Sequence, residues 1–432
     1  MRLTILAAIL LSTTPVLAFD AVTYRGTLGR SDILVELTDP AVGMVQGRYS
    51  YMAVGGDIPL HNLDGIESFE FAEEAPCSEA TCIIGDDGMI TDPPIGGHWT
   101  LNFSADGKTL SGTWAPEGKP GKTLDVNLVE IGRRSLPEGT EITPMGLADS
   151  VFMQIWANDG GLSAATAPYE FAKMDVALTE GDIQELDGSS FRFVSDPRTI
   201  FEFPRIVALA DGSSPEAANR ALAERHGIIN VAALSCLNNA YAGLTYSGYD
   251  VSMEGGSLGD YDGENIAVGY LSPTVMGWME SGSTWCGGAH PNNHSDSYII
   301  DVKTGEDLPL VRIFKDWTAT SKIDEYDATV DPVAALAAPE QYYWTPGQPL
   351  IDYVLAHYQP QDPDYAADCG VEELITTNLG VRFGPGDTAI FSLVGLPHVN
   401  FACTDDLVTV PLADIPELLA PTAKDYFPSL AR

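Results

Sequence analysis

Positive charge is scarce in this chain: 22 Lys and Arg stand against 61 Asp and Glu in 432 residues, a formal net charge of −39. Nucleic acid is held largely by Lys/Arg clusters that displace counterions, and no such cluster is present, so DNA and RNA are excluded as partners. Beyond the first residues no apolar run approaches the roughly 20 residues a spanning helix needs, so no membrane anchor is expected. There is no H-E-x-x-H, no Walker loop and no dinucleotide glycine fingerprint. Cysteine is sparse as well, and its spacing offers no C-x2-C, while the cysteine beside His290 belongs to an even set that favours disulfides, which argues against structural zinc; no cofactor is expected. Internal repeats and low-complexity tracts are missing too.

What the N-terminus does contain reads as an export signal. Arg2, the apolar run Ile5 to Leu11 and the small-residue pattern Val16-Leu17-Ala18 define residues 1–18 as a signal peptide. No cysteine follows the cleavage point, so lipid anchoring is not expected and the mature chain is expected to be periplasmic or secreted. Loss of Arg2 takes the formal charge from −39 to −40. Such a surface steers cationic partners in, although acidity dispersed along a chain also serves solubility alone. The six cysteines form an even set in an oxidising compartment, where disulfides are favoured. Of the fifteen pairings the expected one is Cys77–Cys82, favoured by proximity, with Cys236–Cys286 and Cys369–Cys403 tying segments that flank expected strands.

Length, 42 Gly and 29 Pro suggest a loop-rich, strand-rich chain of two domains. The fold class expected is α+β: a β-rich meander or barrel-like domain over 19–131, a linker at 132–146, and an α+β domain with antiparallel sheet and a few helices over 147–432. Short alternating runs such as Ile33 to Leu37, Trp99 to Phe103 and Leu110 to Trp114 carry the first assignment, and Asp106-Gly107 marks a hairpin. Further on, Ser214 and Pro215 specify the start of a helix. Residues 332–349 read as a long loop before a helix near 350–358, and Ile415 to Leu419 as a short closing helix.

Several constellations could carry chemistry. Gly255-Gly256-Ser257-Leu258-Gly259 matches a nucleophile elbow by letter, but the acidic turn expected after it is not the helix an elbow requires, and no catalytic residue is assigned. That same turn offers Asp260, Asp262 and Glu264, hard oxygen ligands that are weak calcium candidates; a solvated turn is the plainer reading. His290 and His294 stand four apart, which on a helix would align two imidazoles, yet Pro291 and two asparagines argue for a loop. Aromatic anchors are the better clue to binding, and Gln341-Tyr342-Tyr343-Trp344 between Pro-rich flanks is expected as a recognition loop.

The segment Gly287 to Leu308, GGAHPNNHSDSYIIDVKTGEDL, joins a Gly-Gly-Ala-His turn to a strand and a Lys-Thr-Gly hairpin, followed by Phe314 and, later, by VTVPLADIPELL. It resembles the extracytoplasmic domain shared by RsiV-type anti-sigma factors, which sense lysozyme, and by the non-catalytic N-terminal part of some peptidoglycan deacetylases. The resemblance covers about 203–419 and departs from the family at FSLVGLPHVNFACTDD, where an aromatic-rich segment is usual. It implies a non-enzymatic envelope binding domain with a ligand at Gly287, Gly288, His290, Asn292 and His294, joined by Tyr342, Tyr343 and Trp344. The expected partner is a cationic protein such as lysozyme; a glycan or peptidoglycan module is the alternative, and an unrecognised cell-wall hydrolase a third. Oligomeric state is not indicated by the sequence.

Overall fold

Period-two alternation in the first hundred residues is satisfied by closing a sheet on itself. The computed structural model describes residues 20–39, 45–63, 69–78, 81–83, 85–86, 90, 93–119, 121–157, 161–245, 260–286, 290–315, 317–322, 329–338 and 341–431. The expected signal peptide, the Gly255–Gly259 elbow match, Gly287 and Gly288 lie outside these residues. Two compact units result: Met1–Ile83 with Ile90–Lys173 and Tyr241–Thr245, and Ile84–Met89 with Met174–Ala240 and Tyr246–Arg432.

The first unit is a closed antiparallel barrel of eight strands in sequential order: β1 (Asp20–Leu28), β2 (Ser31–Thr38), β3 (Gly47–Tyr51), β4 (Asp57–Asn62), β5 (Glu70–Glu74), β6 (Ile95–Phe103), β7 (Thr109–Pro116) and β8 (Leu124–Ser135). β1 closes the ring against β8 with Arg25 opposite Val129. Closure leaves no open edge, the usual hazard of a meander. One set of alternating residues, including Val22, Tyr24, Ile33, Val35, Leu37, Tyr49, Leu60, Trp99 and Leu128, forms a single core. Tyr49 and Trp99 meet edge to face there, with centroids 4.9 Å apart. Of the stretch expected as a linker, residues 136–143 are irregular, between the end of β8 at Ser135 and helix α1 (Pro144–Phe152), which is capped by the Thr143 side chain accepting from Gly146 N. Helix α2 (Pro168–Lys173) ends this unit's main segment.

Residues of β2 to β4 that alternate with the barrel core build a buried ionic cluster. Arg48 donates to Glu36 at 2.6 Å, Asp57 at 2.8 Å and Glu170 at 2.5 Å. Arg134 donates to Glu36, to Ser150 Oγ and to the Leu147 carbonyl, and Lys173 to Asp57 at 2.5 Å, so α1 and α2 are held to the barrel wall through charge. Three carboxylates thus face three cations, all buried. Burial pushes the Glu36 carboxyl up, but Arg134 and Arg48 outweigh it and hold it below its ordinary 4.5. Asp57 is likewise held down against burial by Lys173 and Arg48. At Glu170 burial wins over Arg48 and raises the carboxyl, and its Oε2 has no hydrogen-bond partner among the described residues.

The second unit is α+β, with four three-stranded sheets and several helices among the described residues. The first sheet joins β9 (Thr179–Leu186), β10 (Ser189–Ser195) and β11 (Glu202–Ala208). Helix α3 (Glu216–Ser235) follows, one residue later than Pro215 suggests. β12 (Asp260–Leu271), β13 (Val275–Trp285) and β14 (Asn292–Asp301) form the longest sheet of this unit. Its neighbouring residues split between two cores: Tyr270, Val275 and Ile299 face one, Leu271, Met276 and Ile300 the other. β15 (Thr318–Ser321), β16 (Thr329–Val330) and β17 (Tyr342–Thr345) make a small sheet, and β18 (Leu379–Gly384), β19 (Thr388–Leu393) and β20 (Asp406–Pro411) the last.

Four local expectations are corrected. Asp260–Asn265 is not a turn but the start of β12, paired across to β13, so its backbone is extended where a calcium loop would wrap. Asn292 to His294 belong to β14 rather than a loop, because ladder pairing with Gly282–Thr284 overrides the weak strand propensity of asparagine. Tyr342–Trp344 is strand β17, hydrogen-bonded to β15, and a helix at Pro332–Ala335 occupies part of the expected long loop. Ile415–Leu419 is not helical; one 3-10 turn at Leu412–Asp414 follows β20 and the chain then bends. The disulfides are Cys77–Cys82, Cys236–Cys286 and Cys369–Cys403, the same three pairs as expected, and they fit an extracytoplasmic protein. No helix among the described residues is long and apolar enough to cross a membrane.

Candidate functional site

The hairpin that ends β14 is built by its own side chains. Asp301 Oδ1 accepts from Lys303 N at 2.8 Å and Thr304 Oγ1 from Glu306 N at 3.1 Å, while Gly305 N reaches back to the Asp301 carbonyl at 2.8 Å. Gly305 has φ +78, and a Cβ there would lie 2.5 Å from the Ala217 carbonyl oxygen of α3, so only glycine fits. The chain then returns antiparallel, with Leu308 N bonded to Ile299 O. The Asp-x-Lys-Thr-Gly-Glu motif is therefore first a folding device.

Beside this hairpin lies an open cleft of about 800 Å³. Asp301, Glu306 and Asp307 put three carboxylates on its wall against one guanidinium, Arg312, and Trp344 and Tyr426 supply aromatic surface. Leu308 also lines it, is buried and belongs to the larger core of this unit. Burial raises the Tyr426 hydroxyl above its ordinary 10, although Arg312 opposes this, so it is a neutral donor at physiological pH. Carboxylates, a phenol and an indole in one concavity suit a cationic or polyhydroxylated group.

The aromatic trio divides by strand alternation. Trp344 lines the cleft and packs on the core, with Tyr342 edge-on to it at 6.4 Å, whereas Tyr343 points the other way, is 50% exposed and lies under Lys322 Nζ at 5.4 Å. On the β12–β14 sheet, Arg225 of α3 forms a two-pronged pair with Glu280, bonds the Tyr298 hydroxyl at 2.6 Å and covers its ring at 4.6 Å. Trp278 stacks on Tyr298 at 5.4 Å and donates to Glu280, so these signature-adjacent aromatics are structural.

Comparison with known proteins finds no family model and no curated protein that matches this chain. Assignment of the site rests on geometry.

Among the described residues, the other expected ones do not line the cleft. His294 Nε2 lies 3.1 Å from the Glu264 carboxylate, which raises the imidazole above its ordinary 6.5 despite burial, so Glu264 is an ion-pair partner rather than a calcium ligand. Of Asp260 and Asp262 only the extended backbone is described, and no cluster of three or more metal-binding side chains occurs among the described residues. His290 stacks on His398, a residue that sequence reading had not singled out. Sequence reading also missed Glu306, Asp307, Arg312 and Tyr426; the first three sit within or just after the signature, but Tyr426 is brought in only by the fold. In the barrel, Glu73 Oε2 accepts from Tyr49, Trp99 and Trp114 at 2.9, 2.8 and 2.8 Å, a satisfied core network.

Proposed function

We propose that this chain is an exported, non-enzymatic binding protein of the bacterial envelope, periplasmic or secreted, whose partner is a cationic protein of the lysozyme type. The observation that carries the reading is the cleft beside the β14 hairpin: three carboxylates and two aromatic rings around one arginine, in a chain of net charge −39. A lysine or arginine side chain of the partner would find both charge and a ring face there. The remaining acidity would speed encounter without fixing specificity.

Calorimetric titration of the oxidised mature chain with a C-type lysozyme, at low and physiological salt, tests this. Saturable binding that weakens but survives at physiological salt is expected, and an unrelated basic protein of similar charge should not bind there. The E306Q/D307N variant, both positions being exposed, should weaken binding by about tenfold or more, whereas Y343A on the opposite face of β17 should leave it unchanged. Binding that disappears with salt, or is indifferent to E306Q/D307N, overturns the reading. The pairing of Trp344 with acidic neighbours also suits a saccharide; salt-insensitive retention of peptidoglycan fragments, lost in W344F, would establish that second reading instead.

A further inference from the structure

The histidines around β14 differ in what their ring nitrogens already do. His294 has both engaged, Nδ1 near the Asn292 carbonyl at 3.3 Å and Nε2 on Glu264. Among the described residues, His290 and His398 engage only Nδ1. His290 Nδ1 lies 3.0 Å from the Pro291 carbonyl oxygen, and His398 Nδ1 is hydrogen-bonded to Asn293 Oδ1. Both oxygens can only accept, so in each neutral ring the proton sits on Nδ1 and Nε2 keeps a lone pair. The two rings stack with centroids 4.6 Å apart and planes 11° from parallel, and both residues are exposed. A ligating histidine has this form: one nitrogen donates to a carbonyl and fixes the tautomer, and the other is presented to the ion.

We propose that His290 and His398 form a surface site for a borderline divalent cation, Cu²⁺, Ni²⁺ or Zn²⁺. Metal–nitrogen bonds of about 2.0–2.1 Å place the two donors of one ion at most about 4 Å apart. Near-parallel rings 4.6 Å apart hold their in-plane Nε2 lone pairs side by side, so a shared ion requires both side chains to rotate out of the stack and turn toward it, which exposure allows. The ligands come from distant parts of the chain. His290 lies two residues before β14, and His398 opens a 3-10 turn, His398–Cys403, whose far end is held by the Cys369–Cys403 disulfide. Asn293 binds His398 from one face of β14, so His294, on the opposite face, is not a third ligand. Water completes the coordination. Imidazole selects these ions over Mg²⁺ and Ca²⁺, and the negative chain draws any dication toward it.

CuCl2 and, separately, ZnCl2 titrated into the tag-free oxidised full chain near neutral pH test the assignment. One-to-one binding is expected, tighter for Cu²⁺ than Zn²⁺. H290A or H398A should weaken Cu²⁺ by about tenfold or more, while H294Q stays within about twofold. Electron paramagnetic resonance of the Cu²⁺ complex should show two coupled nitrogens, falling to one in either single variant. Absence of saturable one-to-one binding below about 1 mM, or unchanged affinity in the H290A/H398A double variant, overturns the proposal and leaves the pair as surface stacking.

Discussion

Replacing Arg48 by methionine would remove the hub of the barrel's ionic cluster while keeping a linear apolar side chain in its space. Arg48 touches Glu36, Asp57 and Glu170, all of them buried, and the cluster balances three carboxylates with three cations. The variant leaves three carboxylates against Arg134 and Lys173. Removing one partner of a buried ion pair costs about 3–5 kcal/mol, because the remaining charge stays desolvated. Glu170 behaves differently: its carboxyl is already raised by burial and its Oε2 has no partner among the described residues. E170Q keeps an oxygen for Arg48 and removes a poorly solvated charge, so it should cost at most about 1 kcal/mol. The double variant R48M/E170Q returns the cluster to two against two and should be less destabilised than R48M alone, by about 1–2 kcal/mol. Urea unfolding of the full chain, followed by tryptophan fluorescence, reads all three. An R48M cost below about 1 kcal/mol, or an E170Q cost equal to that of R48M, would refute the view that Arg48 neutralises a shared buried charge.

The same cluster predicts a two-sided pH dependence. The folded pKa of Glu36 and Asp57 lies below the ordinary 4.5 and 3.8, so their stabilisation is present above those values and lost as pH falls through the folded ones. Glu170, raised in the fold, has the opposite sign, and its contribution is lost as pH rises through its folded pKa. Thermal midpoints measured from pH 3 to 8 should therefore fall steeply on the acid side, and E170Q should remove the decline toward neutrality but not the acid limb. For the disulfides, C369A/C403A opens a separation of 34 residues and should cost about 3.8 kcal/mol against about 2 kcal/mol for C77A/C82A, whose separation is 5. Equal losses in denaturant titrations would contradict the loop-entropy argument. G305A should cost about 1–3 kcal/mol from its left-handed backbone, plus the contact with Ala217; a neutral result in the same titration would mean the hairpin can shift away from α3.

The barrel was the most legible part of the fold, because alternation in stretches such as Ile33–Leu37 is imposed locally by strand geometry and needs only closure to be satisfied. Chain order gives every neighbouring pair of strands in the barrel except the closing one, β1 with β8, which joins its two ends. Legibility failed where pairing overrode local preference. Asn292 and Asn293 look like loop residues and lie in β14, and Tyr342–Trp344 sits between prolines yet pairs with β15. The stretch Ile415–Leu419 has helical composition but no continuing ladder of helical hydrogen bonds. For the cleft, the aromatic cluster pointed to Trp344, whereas Asp301, Glu306 and Asp307 lie within the signature without anything there marking them as binding residues. Nothing local joined them to each other or to Tyr426.

By itself the sequence determined the properties that depend on composition and near neighbours. These are the acidic surface, the alternating strands, the Asp/Thr/Gly chemistry of the hairpin and the close cysteine pair. The tertiary structure alone decided which charges became interior and which nitrogens remained available. Arg48 meets Glu170 across 122 residues, and His398 meets Asn293 across 105. Whether a carboxylate is raised or lowered depends on the number of cations that reach it once water has been excluded, and that number is set by packing rather than by residue identity.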